Sequence, residues 1–350
     1  MEKHTMIARQ MLTRKGWFHK HGAYVLVDGQ YGSTGKGLAA GLLAEMFPDT
    51  VARVTTNAGP NSGHTCYFRD EKIILKQLPT FSVVSARRNE MVPTYLNAGA
   101  IIVPEILKKE LKEYGVPVAL HNNAAVVNET TKALDEMQSL RIGSTGQGTG
   151  EALAAKVRRE HGAVAKNCPE LRGIQQYESA IPSDGITFVE VSQGFSLGIN
   201  QRFYPYCTSR ECTVNQALLD AVIHPSLYKD SMMVVRTFPI RVAGNSGGCY
   251  PDQTETSWGE LGFEPEQTTV TKKVRRVFTW STQQFIDAVI YNRPGFIFLN
   301  FCNYIEERGG DVRIFVEENV IKPYTSVMGK PPKAVLLGYG PRSQDVRLFE

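Results

Sequence analysis

A glycine-rich segment near the N-terminus has the composition of a phosphate-binding turn. It reads Asp28-Gly29-Gln30-Tyr31-Gly32-Ser33-Thr34-Gly35-Lys36-Gly37. Glycines let backbone N–H groups approach a phosphate, a following helix start adds partial positive charge, and Lys36 adds a full charge. Gln30 stands where the standard P-loop pattern has its first glycine, and Gly37 replaces the magnesium-binding Ser or Thr. The segment therefore predicts a phosphate cradle unlike an ordinary P-loop; the alternative is a plain connecting turn.

A second glycine-rich segment follows, with the sequence Asn57-Ala58-Gly59-Pro60-Asn61-Ser62-Gly63-His64-Thr65. Such a loop offers backbone amides, a carbonyl for a metal ion and the imidazole of His64 for proton transfer. A histidine considered alone is more often structural. Beside the first segment, however, this loop indicates an active site.

Strand and helix patterns alternate around both segments. The apolar run 24–27 precedes the first segment, and apolar residues at helical spacing follow it over 38–46. Further strands are predicted at 51–55, 73–78, 186–191, 232–237, 296–301 and 334–339. Several of these are too continuously apolar for a sheet with one face in water, which predicts a parallel, covered sheet.

Two helices have clear end signals. One runs from Pro104 to Tyr114 and stops at Gly115. The other opens at Ser281, which is predicted to form a capping box with Gln284. The alternation predicts an α/β fold with a mainly parallel central sheet covered by helices, organised as a single domain over residues 22–350.

Composition limits the class of protein. A chain of 350 residues with 42% hydrophobic residues can bury one large core. A net charge of +4 with dispersed basic residues suits small anionic ligands and does not indicate a nucleic-acid surface. Since no apolar run approaches the ~20 residues of a membrane helix, a soluble protein is expected.

The cysteines and the first residues bear on location. The six cysteines form neither a C-x-x-C pair nor a zinc spacing, so we expect reduced thiols in the cytoplasm. Residues 1–21 are basic, which is compatible with a targeting peptide. We expect instead an N-terminal extension outside the fold.

Several stretches resemble, in order and spacing, the signatures of the adenylosuccinate synthetase family. The two glycine-rich segments look like its G-D-E-G-K-G and N-A-G-H-T motifs. Residues 142–150 are similar to its I-G-T-T-G-R-G-I-G stretch. Residues 192–194, 204–209, 269–277 and 338–341 resemble A-Q-G, Y-P-Y-V-T-S, T-V-T-G-R-x-R-R-V and S-T-G-P. The chain is identified as a member of this family, which implies a P-loop-like fold and a ligase that forms a C–N bond.

The resemblance implies a nucleotide-substrate site. Asn61, Thr145 and Thr208 would hold the 5′-phosphate of a purine nucleotide. Arg159 would join them from the other subunit of a homodimer. Gln193 would face the purine together with Ser33. The implied catalytic residues are Ser33, Lys36, Gln193 and His64, with His64 as acid and electrophile.

The resemblance also implies sites for the triphosphate, the metal ion and aspartate. The implied triphosphate contacts are Ser33, Thr34, Gly35, Lys36, Gly37, Gly63, His64, Thr65, Arg275, Asn300 and Gly340. Mg²⁺ would lie near Ser33 and the carbonyl of Gly63. The implied contacts for L-aspartate are Thr269, Val270, Thr271, Lys273 and Arg275. Arginine normally fills the Lys273 position, so a bidentate fork becomes a point charge there.

Ser33 is the first departure from the family, because it stands where the catalytic aspartate takes the N1 proton of inosine monophosphate. Serine is a poor base. The chain is therefore an inactive relative, uses another base, or has a changed substrate, and we favour the last. A hydroxyl would make room for the 2-amino group of guanine and accept a hydrogen bond from it. This resembles a phage branch, the 2-aminoadenylosuccinate synthetases, which act on deoxyguanylate to make the diaminopurine of modified genomes. The N1 proton would then be accepted by a substrate phosphate or a metal-bound water, or relayed by the Ser33 hydroxyl.

The second departure concerns the energy donor. The family binds the guanine of GTP with its T-K-L-D motif, in which the aspartate carboxylate accepts hydrogen bonds from both N1–H and the 2-amino group. This chain has Leu299-Asn300-Phe301-Cys302 there. A thiol cannot replace the carboxylate, so ATP or dATP is the expected donor. The leading hypothesis is a ligase for dGMP or GMP and aspartate. The alternatives are ordinary synthesis from inosine monophosphate, an inactive nucleotide-binding regulator, and a nucleotide kinase or NTPase.

Overall fold

The computed structural model describes residues 3–143, 145–268 and 272–350. The strands are β1 (Gly22–Asp28), β2 (Arg53–Thr56), β3 (His64–Phe68), β4 (Glu71–Leu75), β5 (Thr94–Leu96), β6 (Ile101–Ile102), β7 (Val118–His121), β8 (Ala125–Val126), β9 (Gln175–Tyr177), β10 (Ile186–Glu190), β11 (Tyr228–Arg236), β12 (Ile240–Arg241), β13 (Glu255–Thr256), β14 (Arg276–Phe278), β15 (Phe296–Asn300), β16 (Ala334–Gly338) and β17 (Val346–Leu348). The helices are α1 (Lys3–Arg14), α2 (Lys36–Met46), α3 (Thr80–Arg87), α4 (Pro104–Tyr114), α5 (Glu129–Ile142), α6 (Thr149–Arg158), α7 (Val214–Asp220), α8 (Trp258–Leu261), α9 (Thr282–Asn292), α10 (Asn303–Glu307), α11 (Val312–Val316) and α12 (Lys322–Met328).

A large central sheet organises the described part of the chain. Its strand order is β17-β16-β15-β11-β1-β10-β2-β5-β7-β9. Neighbouring strands are parallel, except that β17 pairs antiparallel with β16 at one edge. The predicted α/β fold with a mainly parallel sheet is confirmed.

Both faces of the sheet are covered, as the continuous apolar strands predicted. Successive residues of a strand point to opposite faces. Accordingly Leu26 belongs to one buried cluster with Leu42 of α2, while Val25 and Val27 belong to a second cluster with Phe285 of α9. The carboxyl end of β1, where the phosphate-binding turn begins, therefore emerges from the middle of the core.

The predicted strand at 73–78 is wrong in its extent and its place. Strand β4 ends at Leu75 and pairs only with β3 in an antiparallel hairpin among the described residues. The backbone N–H groups of residues 76–78 donate instead to the carboxylate of Glu110 in α4. A side chain distant in sequence thus satisfies the groups that a strand partner would have used.

The helix prediction at 104–114 is confirmed, with Gly115 in the left-handed conformation that ends helices. The capping box at Ser281 is only half correct. The Ser281 hydroxyl accepts from the backbone N–H of Gln284, but the Gln284 side chain donates to Ser196 instead of returning to the cap. A buried partner has displaced the local contact.

The N-terminal residues are part of the fold, which corrects the expectation of an extension outside it. Leu12 and Trp17 are fully buried in the cluster that includes α2. The Trp17 ring meets Tyr24 of β1 and Phe296 of β15 edge to face, with centroids 5.3 and 5.0 Å away. The basic residues of the segment favoured an extension, whereas its apolar residues bind it to the core.

Candidate active site

The turn between β1 and α2 is folded around the buried carboxylate of Asp28. One oxygen, Oδ1, accepts from the backbone N–H groups of Gln30 at 2.8 Å and Gly32 at 3.2 Å. The other, Oδ2, accepts from the hydroxyl of Thr34 at 2.5 Å and the ammonium group of Lys36 at 2.9 Å. Asp28 therefore fixes both the shape of the predicted phosphate cradle and the position of its cation.

Close contacts through glycine join this turn to the other predicted loops. A Cβ on Gly194 would lie 2.0 Å from the backbone nitrogen of Gly32. A Cβ on Gly37 would lie 2.4 Å from the carbonyl oxygen of Thr65. Lys36 also donates to the carbonyl of Gln193 at 2.9 Å. Only glycine permits these backbone approaches, which bring the cradle next to Gln193 and to the strand that begins at His64.

The loop that carries Asn61 and His64 is anchored at its start. Asn57 follows β2, and its side-chain oxygen accepts from the backbone N–H of Ser192 at 3.0 Å. Its amide nitrogen donates to Asp220 at 2.7 Å. Arg210 donates to the carbonyl of Asn57 at 2.7 Å. This buried network fixes the loop against the end of β10, where Gln193 lies.

His64 is mostly buried, with 11% of its side chain exposed. Burial, aided by the positive charge of Lys36, lowers the pKa of His64 to about 3. Its Nδ1 lies 3.9 Å from Oε2 of Glu190. Burial raises the pKa of Glu190 to about 7, against the opposing effect of hydrogen bonds from the backbone of Phe81 and Thr80. The imidazole is therefore neutral near pH 7 and can donate or accept one hydrogen bond at each nitrogen.

The structure brings nine of the predicted site residues into one cleft of about 220 Å³. The predicted residues that line it are Ser33, Lys36, Asn61, Gly63, His64, Thr145, Gln193, Thr208 and Arg275. Lys36 and His64 share this cleft, as the phosphate-transfer interpretation requires.

Some polar groups of the cleft residues are buried without a partner among the described residues. They are Asn61 Oδ1, His64 Nε2, Thr149 Oγ1, Gln193 Nε2 and Arg241 Nε. A buried polar atom without a hydrogen bond costs free energy, on the order of 1–3 kcal/mol. Several such atoms around one cleft indicate a polar ligand that supplies the missing partners.

Other predicted residues lie outside the lining of this cleft. Lys273 and Arg159 are exposed, with Arg159 in a left-handed conformation at the end of α6. Gly340 lies beyond β16. Thr269, Val270 and Thr271 are outside the described residues.

Thr34, Gly35, Gly37, Thr65 and Asn300 support the cradle. Asn300 is 5% exposed, and its amide donates to the carbonyl of Thr34 at 3.2 Å. A Cβ on Gly35 would lie 2.0 Å from that amide nitrogen. Cys302, at the fourth position of the segment that differs from the family, is fully buried and donates its Sγ–H to the carbonyl of Leu299. These contacts hold the end of β15 against the turn.

The sequence interpretation missed Arg241, a cation that lines the cleft. Its guanidinium lies over the rings of Tyr31 and Phe203, 4.6 and 4.8 Å from their centroids. It also donates to the carbonyl of Tyr206 at 3.0 Å. Burial lowers its pKa from the ordinary value. Its position shortly after the predicted strand 232–237 was an available signal, because ligands bind at the carboxyl ends of parallel strands.

The start of α6 forms another part of the cleft that was only partly predicted. Thr149 and Gly150, the first two residues of α6, line it beside Thr145. A helix N-terminus presents unpaired N–H groups and partial positive charge, which suit a phosphate. Asp135 of α5 occupies one neighbouring amide by accepting from Gly148 at 2.8 Å.

A sheet with a phosphate cradle at the carboxyl end of its central strand, facing an imidazole and a glutamine, defines a nucleotide-dependent enzyme of the α/β class. Comparison with known proteins refines this class. The family model described as adenylosuccinate synthetase matches residues 25–175. The N6-succino-2-amino-2'-deoxyadenylate synthase of Vibrio phage phiVC8 is 38% identical over 348 residues, covering 93% of this chain and 98% of the relative. The protein of the same name from Cyanophage S-2L is 32% identical, covering 96% and 95%.

Solved structures agree with this comparison. The Cyanophage S-2L succinoaminodeoxyadenylate synthetase (PurZ), bound to dGMP and to dATP as an energy donor, aligns with a TM-score of 0.80 at 31% identity, covering 94% of this chain and 95% of that one. The adenylosuccinate synthetase of Plasmodium falciparum aligns with a TM-score of 0.74 at 18% identity, covering 93% and 99%, which supports the fold. The chain belongs to the adenylosuccinate synthetase family, whose members are ligases that form a C–N bond.

Proposed function

We propose that this enzyme joins dGMP to L-aspartate, with cleavage of ATP or dATP, to give N6-succino-2-amino-2'-deoxyadenylate for diaminopurine nucleotide synthesis. The γ-phosphoryl group is transferred to O6 of guanine as the N1 proton leaves, which releases the nucleoside diphosphate. The amine of aspartate then attacks C6, and phosphate departs with the former O6. The observation that carries this proposal is the shared cleft of Ser33, Lys36, His64 and Gln193.

The geometry supports a phosphoryl group between the cradle and the imidazole. Lys36 is fixed by Asp28 and by the carbonyl of Gln193, so its charge is preorganised. His64 Nε2 is buried and has no partner among the described residues. A phosphoryl oxygen at this nitrogen would complete the hydrogen bonding of His64 and stabilise charge that develops during transfer.

Ser33 supports guanine as the base. Its side chain is exposed at the cleft, whereas its neighbour Thr34 is buried against Asp28. An oxygen that accepts a hydrogen bond from the 2-amino group would favour guanine over hypoxanthine. The names of the phage relatives and the dGMP bound in the PurZ structure favour the same substrate.

Three threonines of the cleft suit the 5′-phosphate of the nucleotide. Thr145 and Thr208 line the cleft together with Thr149 at the start of α6, whose hydroxyl is buried without a partner among the described residues. The exposed Arg159 at the other end of α6 is available to a second subunit, and we propose that it completes the neighbouring site of a homodimer.

Mg²⁺ fits the proposed phosphate site. Ser33 and Gly63 offer hydroxyl and carbonyl oxygen, the hard donors that this ion prefers. The described residues contain no cluster of three metal-ligating side chains, which agrees with an ion held largely by substrate phosphates. Bound there, Mg²⁺ would neutralise charge between the phosphates. Arg275 in the cleft, together with Lys273 and with Thr269, Val270 and Thr271, which lie outside the described residues, would hold the aspartate carboxylates.

The donor and the place of reaction complete the proposal. The dATP in the PurZ structure favours an adenine donor. Cys302 stands where the family has the aspartate that binds guanine, and its thiol is fully buried, so it cannot replace that carboxylate. No described helix has the length and apolar character to cross a bilayer. We propose a cytoplasmic reaction, which the six free cysteines support.

The test incubates the purified chain with Mg²⁺, ATP, L-aspartate and one of four nucleotides: dGMP, GMP, dIMP or IMP. A succinylated product detected by mass and by longer-wavelength absorbance is expected with dGMP. Omitting aspartate should abolish release of inorganic phosphate. Turnover confined to the hypoxanthine nucleotides would contradict the guanine assignment, and phosphate release independent of aspartate would indicate an NTPase or kinase.

A further inference from the structure

Arg236 is a fully buried arginine at the carboxyl end of β11, beside the phosphate-binding turn. Its backbone is clamped by Gln30 on both sides. The Gln30 Oε1 accepts from the Arg236 N–H at 2.9 Å, and the Gln30 Nε2 donates to the Arg236 carbonyl at 3.1 Å. Gln30 stands where a standard P-loop has glycine, so the unusual residue of the turn is the one that holds this arginine.

The guanidinium of Arg236 makes contacts in three directions. Its Nη1 donates to the carbonyl oxygen of Ser33 at 3.1 Å. It forms an ion pair with Glu266, and its Cζ lies over the Phe301 ring, 3.8 Å from the centroid. Burying a charge is costly unless it is paired and hydrogen-bonded. The ion pair with Glu266 and the contact with the Phe301 ring stabilise the buried guanidinium. Its other hydrogen bond is the one to the carbonyl of Ser33.

Ser33 needs such an anchor because its backbone is strained. Its φ is +54°, in the left-handed region that a residue with a side chain rarely occupies. The carbonyl and the side chain of Ser33 are attached to the same Cα. Holding the carbonyl while φ is left-handed therefore also sets the direction of the Cα–Cβ bond, and with it the region that the hydroxyl can reach.

We propose that Arg236 is a positioning residue that sets base specificity by holding Ser33 in this conformation. The inference rests on the proposed function, in which the Ser33 hydroxyl meets the 2-amino group of guanine. Arg236 touches the backbone of Ser33 and does not line the cleft among the described residues. Lysine cannot reproduce the role, because it lacks the planar fork that bonds Ser33 and Glu266 while stacking on Phe301.

The test measures the ratio of kcat/KM for dGMP to kcat/KM for dIMP. Arg236→Lys should lower this ratio at least about tenfold, since a released hydroxyl no longer distinguishes the two bases. In a Ser33→Ala background, Arg236→Lys should leave the ratio unchanged, because the group through which it acts is gone. A purely structural role would lower both kcat/KM values together and leave the ratio intact.

Arg53→Lys is the matched control. Arg53 is also a buried arginine, with an ion pair to Asp184 at 3.0 Å, but it lies at the amino end of β2 and does not line the cleft among the described residues. Its replacement should not alter the ratio. If Arg236→Lys does not fold, Glu266→Gln, which keeps the fork and weakens its anchor, should lower the ratio by a smaller factor.

An unchanged ratio in Arg236→Lys, or an equal fall in the Ser33→Ala background, would overturn the inference. These outcomes differ from failure of the proposed function, which would appear as absence of product from dGMP with the wild-type chain and would remove the inference with it.

Discussion

The ammonium nitrogen of Lys36 lies 2.9 Å from Oδ2 of Asp28, and both side chains are buried. Such a pair holds the cation in place at the mouth of the cradle. It also leaves part of the cation's hydrogen-bonding capacity for a phosphate, since an ammonium group has three donors and the structure uses two of them on Asp28 and Gln193.

Replacing Lys36 with methionine should impair both catalysis and folding. Loss of a preorganised charge at the transferring group is expected to lower kcat about 100- to 1,000-fold. The uncompensated Asp28 should also reduce the free energy of unfolding by about 3 kcal/mol. Steady-state kinetics and urea denaturation measure the two effects.

Lys333→Met is the control for this variant. It removes a pair with Asp230 in which the lysine is 43% exposed. We expect a loss of no more than about 1 kcal/mol and unchanged kcat. Equal losses of activity in the two variants would mean that Lys36 has no special role.

Ser33→Asp should move substrate preference from guanine toward hypoxanthine. A carboxylate is larger than the hydroxyl and can accept the N1 proton of hypoxanthine, so kcat/KM for dIMP relative to dGMP should rise by about 10-fold or more. Ser33→Ala is the comparison, because it removes the acceptor without adding a base. It should lower kcat/KM for dGMP without raising kcat/KM for dIMP. An unchanged preference in Ser33→Asp would remove this explanation of the residue.

Glu190 predicts a pH dependence of stability. Its pKa is raised to about 7 in the folded chain from 4.5, so the folded state holds this proton more tightly than the unfolded state. The stabilisation is complete below pH 4.5 and is lost as pH rises through about 7, an effect of about 3 kcal/mol. His64 acts oppositely, since its lowered pKa costs stability as pH falls from 6.5 toward 3.

Comparison with Glu190→Gln isolates the carboxyl contribution, because His64 is common to both proteins. The variant should become more stable relative to wild type as pH rises from 4.5 to above 7, measured by denaturant unfolding without nucleotide. The raised pKa of Glu190 would be contradicted if the difference in unfolding free energy between the two proteins stayed constant across this range or changed in the opposite direction.

Trp17 tests the place of the N-terminal residues in the fold. Trp17→Ala should lower the free energy of unfolding by about 3–5 kcal/mol, because a fully buried indole leaves a cavity. Met6→Ala removes a side chain of α1 that is 45% exposed and should cost less than about 0.5 kcal/mol. A small loss in Trp17→Ala would restore the expectation of an extension outside the fold.

The long apolar strands could be predicted, but the short strands could not. The largely apolar run 296–301 predicts a strand buried on both faces, and β15 occupies 296–300. Strands β5 and β9 have three residues each, too few to show a pattern, and they exist because neighbouring strands supply their hydrogen bonds. Segment 76–78 was wrongly predicted as strand, since nothing local reveals the carboxylate of Glu110.

The candidate site was predictable where its residues lie close together in sequence. Lys36 and His64 belong to glycine-rich segments whose composition signals phosphate binding and proton transfer. Some of the partners that shape the site are distant in sequence: Lys36 donates to the carbonyl of Gln193 across more than a hundred residues, and Arg236 donates to Ser33 across more than two hundred. Such contacts depend on strand order, which the sequence pattern does not specify.

The most direct measurement follows the oxygen at position 6 of the substrate. With dGMP labelled by ¹⁸O at that atom, together with ATP, Mg²⁺ and L-aspartate, mass spectrometry should find the label in the inorganic phosphate. That result follows if the phosphoryl group held between Lys36 and His64 lands on O6 before aspartate displaces it. Unlabelled phosphate accompanied by succinylated product would contradict the account.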